Sequence, residues 1–535
     1  MLGSTASSMM FKEGTKYLSG VDEAVLKNIE ACRDLMNIVR TSMGPNGMNK
    51  MVINHLGKLF VTHDSSTILH ELEVSHPAAK IIQIAAENQE AEIGDGTCFV
   101  LVFAGELVSL SESLLRMGLH VSDIIEGYSK AGKRVLKLLE SADEVPCQKL
   151  EDIRNEEEVI KGLLAPLSAK QSGYEDMLAK LIAQTCIYVC PKDPTKFSVD
   201  NVRVAKVEGS GVGSTRFMKG LVLTRDSMGT VKRVHDAKIA VFNCPLEHAS
   251  TETTGTVSIT SAEQLKEFSV GEEKLLKESM EAVAEAGVNV VVASQTISDL
   301  ALHFLERHGI FVLRVPSKFD LQRIARVCGA RLLARLGAPM AEEMGHCPLV
   351  EVREIAGSKL TVFEQSEDCP SKIATIIVRG ATQSIMDDIE RAIDDGVNTY
   401  RALCRDPRLI PGAGATEIEL AMKIRRFGEE TPGLDQYAIK KFAESLEIIP
   451  RTLSENSGMD GTETVTNLYN AHQAGKKDCG VDTEGLTIGD AHVSDAVITK
   501  SWGIRLAVDA ALSVLRVDQI IMARPAGGPK PPGAR

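Results

Sequence analysis

The sequence holds a single tryptophan, and aromatic residues make up only 4% of it. That leaves little material for the stacking platforms on which proteins hold single-stranded bases. Basic residues do not predominate: 60 Lys and Arg stand against 73 Asp and Glu, a formal net charge of −13. A sequence-independent nucleic-acid binder would need the opposite balance to neutralise phosphates. No uninterrupted apolar stretch approaches the ~20 residues needed to span a bilayer. Met1 to Gly14 lacks both a basic segment and an apolar core, so no secretory leader is expected. The 11 cysteines show no paired spacing, which predicts reduced thiols rather than a disulfide framework. No Walker A run, HExxH zinc motif or GxSxG elbow occurs, so any nucleotide site must be built another way. What these absences leave is an acidic, cytoplasmic, multidomain protein with neither nucleic acid nor membrane as partner.

The 535 residues are 44% hydrophobic and 25% charged, the balance of a globular chain, long enough for roughly three or four domains. The two ends read alike. Ile29, Cys32, Leu35 and Val39 recur at helical spacing, and residues 79–92 and 97–117 continue in that style. Near the other end Ile504, Ala507, Val508, Ala511, Leu512 and Leu515 form a clean helical stripe. The middle changes period. Short β-branched runs at 238–242, 288–293, 310–315 and 373–378 are separated by helical patterns at 296–308 and 319–336, which reads as an α/β layer. Charged helical stretches at 151–170 and 384–401 flank it, a charged amphipathic helix is expected at 263–285, and the Pro/Gly-rich tail from Pro525 is expected to be disordered. The simplest arrangement is nested: a helical base from both termini, a hinge segment traversed twice, and an inserted α/β tip.

Three glycine-rich helix entries carry the chemistry. Gly94-Asp95-Gly96-Thr97 separates two helical segments, and a helix N-terminus with flanking glycines is a ready anion site. Asp95 there would repel a bare phosphate, an arrangement that makes sense with a cation such as Mg²⁺ between them. A turn with an Asp cap is the plainer alternative. Residues 41–47, TSMGPNG, form a tight loop able to offer amides, or simply a helix stop. Gly412-Ala413-Gly414-Ala415-Thr416-Glu417 opens the third helix. Asp64 follows a strand-like run, and Asp395 lies in the hinge-like helix; each alone reads as a cap or a solvated acid. The glycines at 209, 211 and 213 lack a following βαβ unit and suggest a flexible hinge. Cys186 with Cys190, and His346 with Cys347, lack partners for zinc.

Taken together, TSMGPNGMNK (41–50), FVTHDSSTIL (60–69), GDGTC (94–98) and PGAGATEIEL (411–420) resemble the nucleotide-site motifs of the group II chaperonins of the TRiC/CCT family. The usual forms there are close to TxxGPxGxxK, TNDGATIL, GDGTT and GGGATE. The likeness runs in order along essentially the whole chain, through ERAIDDGVN (390–398) and LRVDQII (515–521). It implies a multidomain α and α/β chaperonin fold: an equatorial ATPase domain (1–148 and 411–535), an intermediate hinge domain (149–218 and 377–410), and an apical substrate-binding domain with a helical protrusion (219–376). It implies ATP hydrolysis coupled to protein folding, with ATP, ADP and Mg²⁺ bound. Carried over by position, Met43, Gly44 and Pro45 contact nucleotide, Asp95 binds Mg²⁺, and Gly96, Thr97, Cys98 and Phe99 cradle phosphates. Lys170 stands near the phosphates, Gly412 and Gly414 line base and ribose, and Asp495 and Lys500 close that side. Asp64 and Asp395 place metal and attacking water, the latter once the hinge rotates down. The implied partners are paralogous subunits in a hetero-oligomeric double ring, prefoldin, and non-native clients including actin and tubulin.

Departures from the pattern are specific. Cys98 stands where Thr is usual, Ser65 where Gly follows the aspartate, Ala169 in place of Ser, Ala413 within the glycine triplet, and Ala496 in place of Pro. None removes a carboxylate. Two other classes use similar parts: a metabolic phosphotransferase, and a ring member that binds nucleotide without turnover. Clients are expected at the tip, between about Val222 and Ala374. There residues 319–336 mix Phe319, Leu321, Ile324, Val327 and Cys328 with Arg323, Arg326 and Arg331, and the apolar stripe either binds clients or packs on the neighbouring sheet.

Overall fold

The computed structural model describes residues 16–19, 24–54, 56–141, 145–247, 261–366, 371–490 and 493–522. The expected disordered tail lies outside these, as does the segment to Gly14. The chain divides into two compact units, Met1–Asp176 with Asp394–Arg535, and Met177–Ile393.

The first unit is helical, as both ends of the sequence predict. Its centre is the helix Thr97–Arg116, whose residues Phe99 to Gly105 are all buried. Such a helix is apolar all round because neighbours cover every side: Leu26–Arg40, Pro77–Glu92, Asp435–Leu446 and Val497–Leu515 pack against it. By length and composition it could cross a membrane, and 61% of its most apolar window is buried in this unit. Gly105 makes the closest approach possible, since a Cβ there would sit 2.6 Å from Met36 Cβ. The two ends of the chain also meet as strands, Lys16–Ser19 pairing antiparallel with Gln519–Met522. A three-stranded sheet sets Arg408–Pro411 between Ser494–Ala496 and Gln148–Lys149.

The second unit is built on a nine-stranded mixed sheet. Each run expected as a strand overlaps one: Arg233–Phe242, Val290–Ala293, Phe311–Arg314 and Ala374–Gly380. The first three pair in parallel, and their apolar residues run continuously because both faces are covered. Ile239, Val241, Val290 and Val292 face one core, while Ala240, Phe242, Val291 and Ala293 face another with Leu276, Met280 and Phe304. Strands at Val202–Glu208, Arg216–Leu223, Gly345–Ile355 and Ser358–Glu364, with the short Leu332–Leu333, complete the sheet. Polar residues interrupt these, and they gave no β-branched run to read. The glycines at 209, 211 and 213 lie in the connection between the first two.

The helix expected over 319–336 is shorter. It runs Lys318–Cys328 and stops at Gly329, a left-handed C-cap with φ of 72°. Leu332–Leu333 is instead a strand beside Val241–Phe242. Leu321, Ile324, Val327 and Cys328 are buried against the sheet, so the stripe is core, and Phe319 is left 71% exposed. The charged helix expected at 263–285 forms as Ala262–Glu285. Cys186 is buried on Glu175–Val189, and Cys190 follows that helix.

Phe442 is fully buried and meets Phe103 and Tyr128 edge-on, with centroids 5.6 and 6.0 Å away. Phe442→Ala should cost about 3–5 kcal/mol. In calorimetry it should lower the melting transition of the first unit and leave that of residues 177–393 in place.

Candidate functional site

All of the site lies in the first unit, where four stretches of chain converge. The turn Gly94-Asp95-Gly96 links helix Pro77–Glu92 to helix Thr97–Arg116. Gly94 and Gly96 adopt φ of 83° and 82°, a region open to glycine at little cost. Gly94 also admits a neighbour: a Cβ there would fall 2.4 Å from Asn398 Cγ. That contact seats helix Gln383–Arg405 against the turn, and Asp395 lies one helical turn before Asn398. Beyond Gly96, the amides of Thr97, Cys98 and Phe99 open a 20-residue helix without intrahelical acceptors. The Gly96 amide itself donates to Asp95 Oδ1 at 2.7 Å.

Asp64 is the N-cap of Ser65–Glu71, accepting from the Thr67 amide at 3.1 Å and the Thr67 hydroxyl at 2.7 Å. Lys170 donates to Asp64 Oδ1 at 3.0 Å and pairs with Asp395 on its other side. The ammonium is thus enclosed by two carboxylates from distant parts of the chain. Burial opposes the charge on Lys170, but Asp395 and Asp64 outweigh it and raise its pKa. Burial would also raise Asp64, yet Lys170 and the Thr67 hydrogen bonds hold it at about 2. Asp395, 4% exposed, goes the other way: burial lifts it well above the usual carboxylate range, Lys170 opposes, and Glu90, Asp64 and Asp95 add to the rise. Burial likewise pushes Asp95 up to about 6, against Lys170 and with Asp495 and Glu90.

These groups line a cleft with Ser42, Met43, Gly44, His63, Ser65 and Cys98. It continues into a larger opening of about 490 Å³ through the shared residues Met43, Gly44, Cys98 and Ala169. That opening is lined by Pro45, Phe99, Gly414, Ile449, Leu453, Val481, Asp495 and Lys500, an apolar wall with polar ends. Lys500 reaches Asp495 at 3.1 Å, pairs with Glu417, and lies 4.6 Å over the Phe99 ring. A further lobe is lined by Asp95, Gly96, Thr399 and Thr499.

Of the residues expected here, Gly412 stands back: its amide donates to the Val493 carbonyl at 2.9 Å, and Ala413 and Gly414 line the opening instead. The 41–47 loop offers fewer amides than expected, since those of Ser42, Met43, Gly47 and Met48 bond within the loop or to the helix before it. The others converge on the cleft. Four features carried no local signal. Glu90 accepts from the Thr97 hydroxyl at 2.7 Å. His63 bridges Asn49 Oδ1 and the Ala169 carbonyl, at 2.9 and 3.1 Å. Thr399 and Thr499 hold buried hydroxyls without partners among the described residues. The hairpin Cys479–Asp482 and Thr487–Asp490 joins through the Val481 amide on the Ala413 carbonyl, at 2.9 Å.

Among the described residues no three His, Cys, Asp or Glu form a metal-holding cluster. The donor set suits a cation shared with a ligand. Asp64, Asp95, Asp395 and Glu90 bring four carboxylates against the Lys170 ammonium, and Asp95 makes no ion pair among the described residues. One carboxylate with ligand phosphates is the usual way Mg²⁺ is held.

A family model described as the TCP-1/cpn60 chaperonin family matches residues 35–525. Relatives named T-complex protein 1 subunit theta are similar along nearly the whole chain. That of Gallus gallus and that of Homo sapiens are each 50% identical over 99% of this chain and 96% of their own length. That of Arabidopsis thaliana is 48% identical over 97% and 95%.

Two stability tests follow from the local geometry. Ala413 is held at φ of 53°, a left-handed conformation that costs a Cβ-bearing residue about 1–2 kcal/mol. Ala413→Gly should therefore raise unfolding stability by about 1 kcal/mol in denaturant titration, the unfolded-state entropy of glycine offsetting the remainder. Asp95 titrates higher in the native chain than in the unfolded one, so its ionised form costs stability above pH 6 and the cost fades as pH falls toward 4. Without nucleotide or divalent metal, Asp95→Asn should stabilise the protein by about 2–3 kcal/mol at pH 7.5, with the gain shrinking toward zero near pH 4.

Proposed function

Since the chain belongs to the TCP-1/cpn60 chaperonin family, we propose that its cleft binds and hydrolyses ATP to drive the folding of non-native proteins. The observation that carries this is the meeting of Asp64, Asp395 and Lys170 with the helix entry at Gly96 in one buried cleft. The adenine and ribose fit the larger opening, against Ile449, Leu453 and Val481. The amides of Thr97, Cys98 and Phe99 donate to phosphate oxygens. Asp95, with Asp64, would hold Mg²⁺. When bound, the ion neutralises charge on the phosphate chain. Lys170 fixes the Asp395 carboxylate. Asp395 orients a water for in-line attack on the terminal phosphorus and takes its proton as the bond to the leaving ADP oxygen breaks.

The relatives' names identify them as subunits of T-complex protein 1, which supports a ring shared with paralogous subunits in the cytoplasm. Clients of the actin and tubulin kind, and delivery by prefoldin, belong to the same reading. The expected division into equatorial (1–148, 411–535), intermediate (149–218, 377–410) and apical (219–376) domains goes with it. The exposed Phe319 and Met340 give the apical segment an apolar surface for non-native chains.

Asp395→Asn should lower ATP turnover about a hundredfold or more while Mg-ATP still binds, and Asp95→Ala should abolish Mg²⁺-dependent nucleotide binding. Both are measured on the purified protein by phosphate release and equilibrium binding. Unchanged turnover in Asp395→Asn would remove Asp395 from the hydrolysis, and nucleotide binding without turnover in the unmodified protein would leave a ring member without its own hydrolysis.

A further inference from the structure

The hydroxyls lining the cleft beside Asp64 belong to Ser42, Ser65 and Thr97. Two are committed to protein acceptors. Ser42 Oγ donates to the Met48 carbonyl at 3.0 Å, and Thr97 Oγ1 donates to Glu90 Oε2 at 2.7 Å. Ser65 differs. Its residue is 4% exposed and directly follows Asp64, and its hydroxyl makes no hydrogen bond among the described residues, although it lies near enough to the Cys98 thiol to lower its pKa. A thiol is a weak donor and a weak acceptor. The Ser65 hydroxyl thus keeps its hydrogen-bonding capacity for a ligand in the cleft.

Cys98 lies across from it, in the first turn of the helix whose free amides face the same cleft. Burial pushes its thiol up to about 11, Ser65 opposing and Asp64 assisting, so it stays protonated and unreactive at neutral pH. The two residues also depart together from the motif forms given above, with Ser for Gly at 65 and Cys for Thr at 98. A hydroxyl is missing at one residue that lines the cleft and present at another.

We propose that Ser65 is a phosphate-binding residue of this site, its hydroxyl donating to an oxygen of the triphosphate chain in place of a hydroxyl at position 98. Ser65 and Cys98 then act as a compensating pair. The inference rests on the ATP reading above and adds a residue that neither the helix entry nor the carboxylates call for.

The test is equilibrium binding to the purified full-length protein, with Mg-ATP as probe and adenosine as its phosphate-free counterpart. Ser65→Ala keeps the volume nearly unchanged and should weaken Mg-ATP about tenfold, the usual worth of a hydrogen bond to a charged oxygen. Adenosine should stay within about twofold, because the lost bond goes to phosphate. Ser65→Thr, which retains the hydroxyl, should retain Mg-ATP binding. Placed in a Cys98→Thr background, Ser65→Ala should cost less than about twofold, since the threonine hydroxyl takes over. An equal loss for adenosine and Mg-ATP would mean a merely structural role. An equal loss in both backgrounds would refute the compensation, and no loss at all would refute the assignment. Absence of Mg-ATP binding by the unmodified protein would overturn the function reading and this inference with it. Normal binding that Ser65→Ala leaves intact would sink this inference alone.

Discussion

The site depends on one buried cation. Lys170 stands between Asp64 and Asp395, residues separated along the chain by more than half its length. Each carboxylate alone would be expensive to bury, and the ammonium makes both tolerable at once. The arrangement is not balanced, however. Asp95 and Glu90 add further negative charge within reach of the same groups, which is why Asp95 and Asp395 are driven toward protonation while Asp64 remains a strong acid. A protein selected only for stability would not collect carboxylates in this way. On the function proposed above, the cation that accompanies a phosphate chain would supply the positive charge that these carboxylates lack.

What the sequence made legible follows from how local the cause is. Gly94, Gly96 and Gly414 could be read because left-handed backbone admits few other residues, and all three adopt it. Helix Thr97–Arg116 could be read because total burial shows as an unbroken apolar circumference. The end of helix Lys318–Cys328 was equally local, written in Gly329, but the apolar residues beyond it matched helical spacing and masked the stop. Other parts had no local trace. Glu90 matters through a threonine hydroxyl on the next helix, and His63 through a carbonyl at Ala169. The hairpin at 479–490 joins through a single amide on Ala413. The roles given to Asp64 and Asp395 came from the resemblance, since in isolation each is an ordinary acid; their shared lysine is visible only in three dimensions.

The second unit shows a different economy. Its parallel strands are covered on both faces, one by helix Lys318–Cys328 and the other by Ala262–Glu285 and Asp299–Arg307. Nearly all the apolar material that composition suggested for a client surface is therefore spent on the fold. Among the described residues of 219–376, the large apolar side chains that remain outward are Met228, Val270, Leu275, Leu300, Phe319, Leu332 and Met340. Contacts through such side chains can be made and released readily, whereas a broad apolar face would hold a non-native chain too firmly to let it go.

The pairing of Lys16–Ser19 with Gln519–Met522 closes the two ends of the chain on each other, and this bears on how the molecule is made. Residues 177–393 form a continuous segment that can fold as soon as it leaves the ribosome. The helical unit cannot. Thr97–Arg116 emerges early, yet one of the helices that covers it, Val497–Leu515, comes almost last. At 5–20 residues per second the interval is roughly 20–75 s. For that time the most apolar helix of a folding machine is itself an unfinished surface in need of shelter.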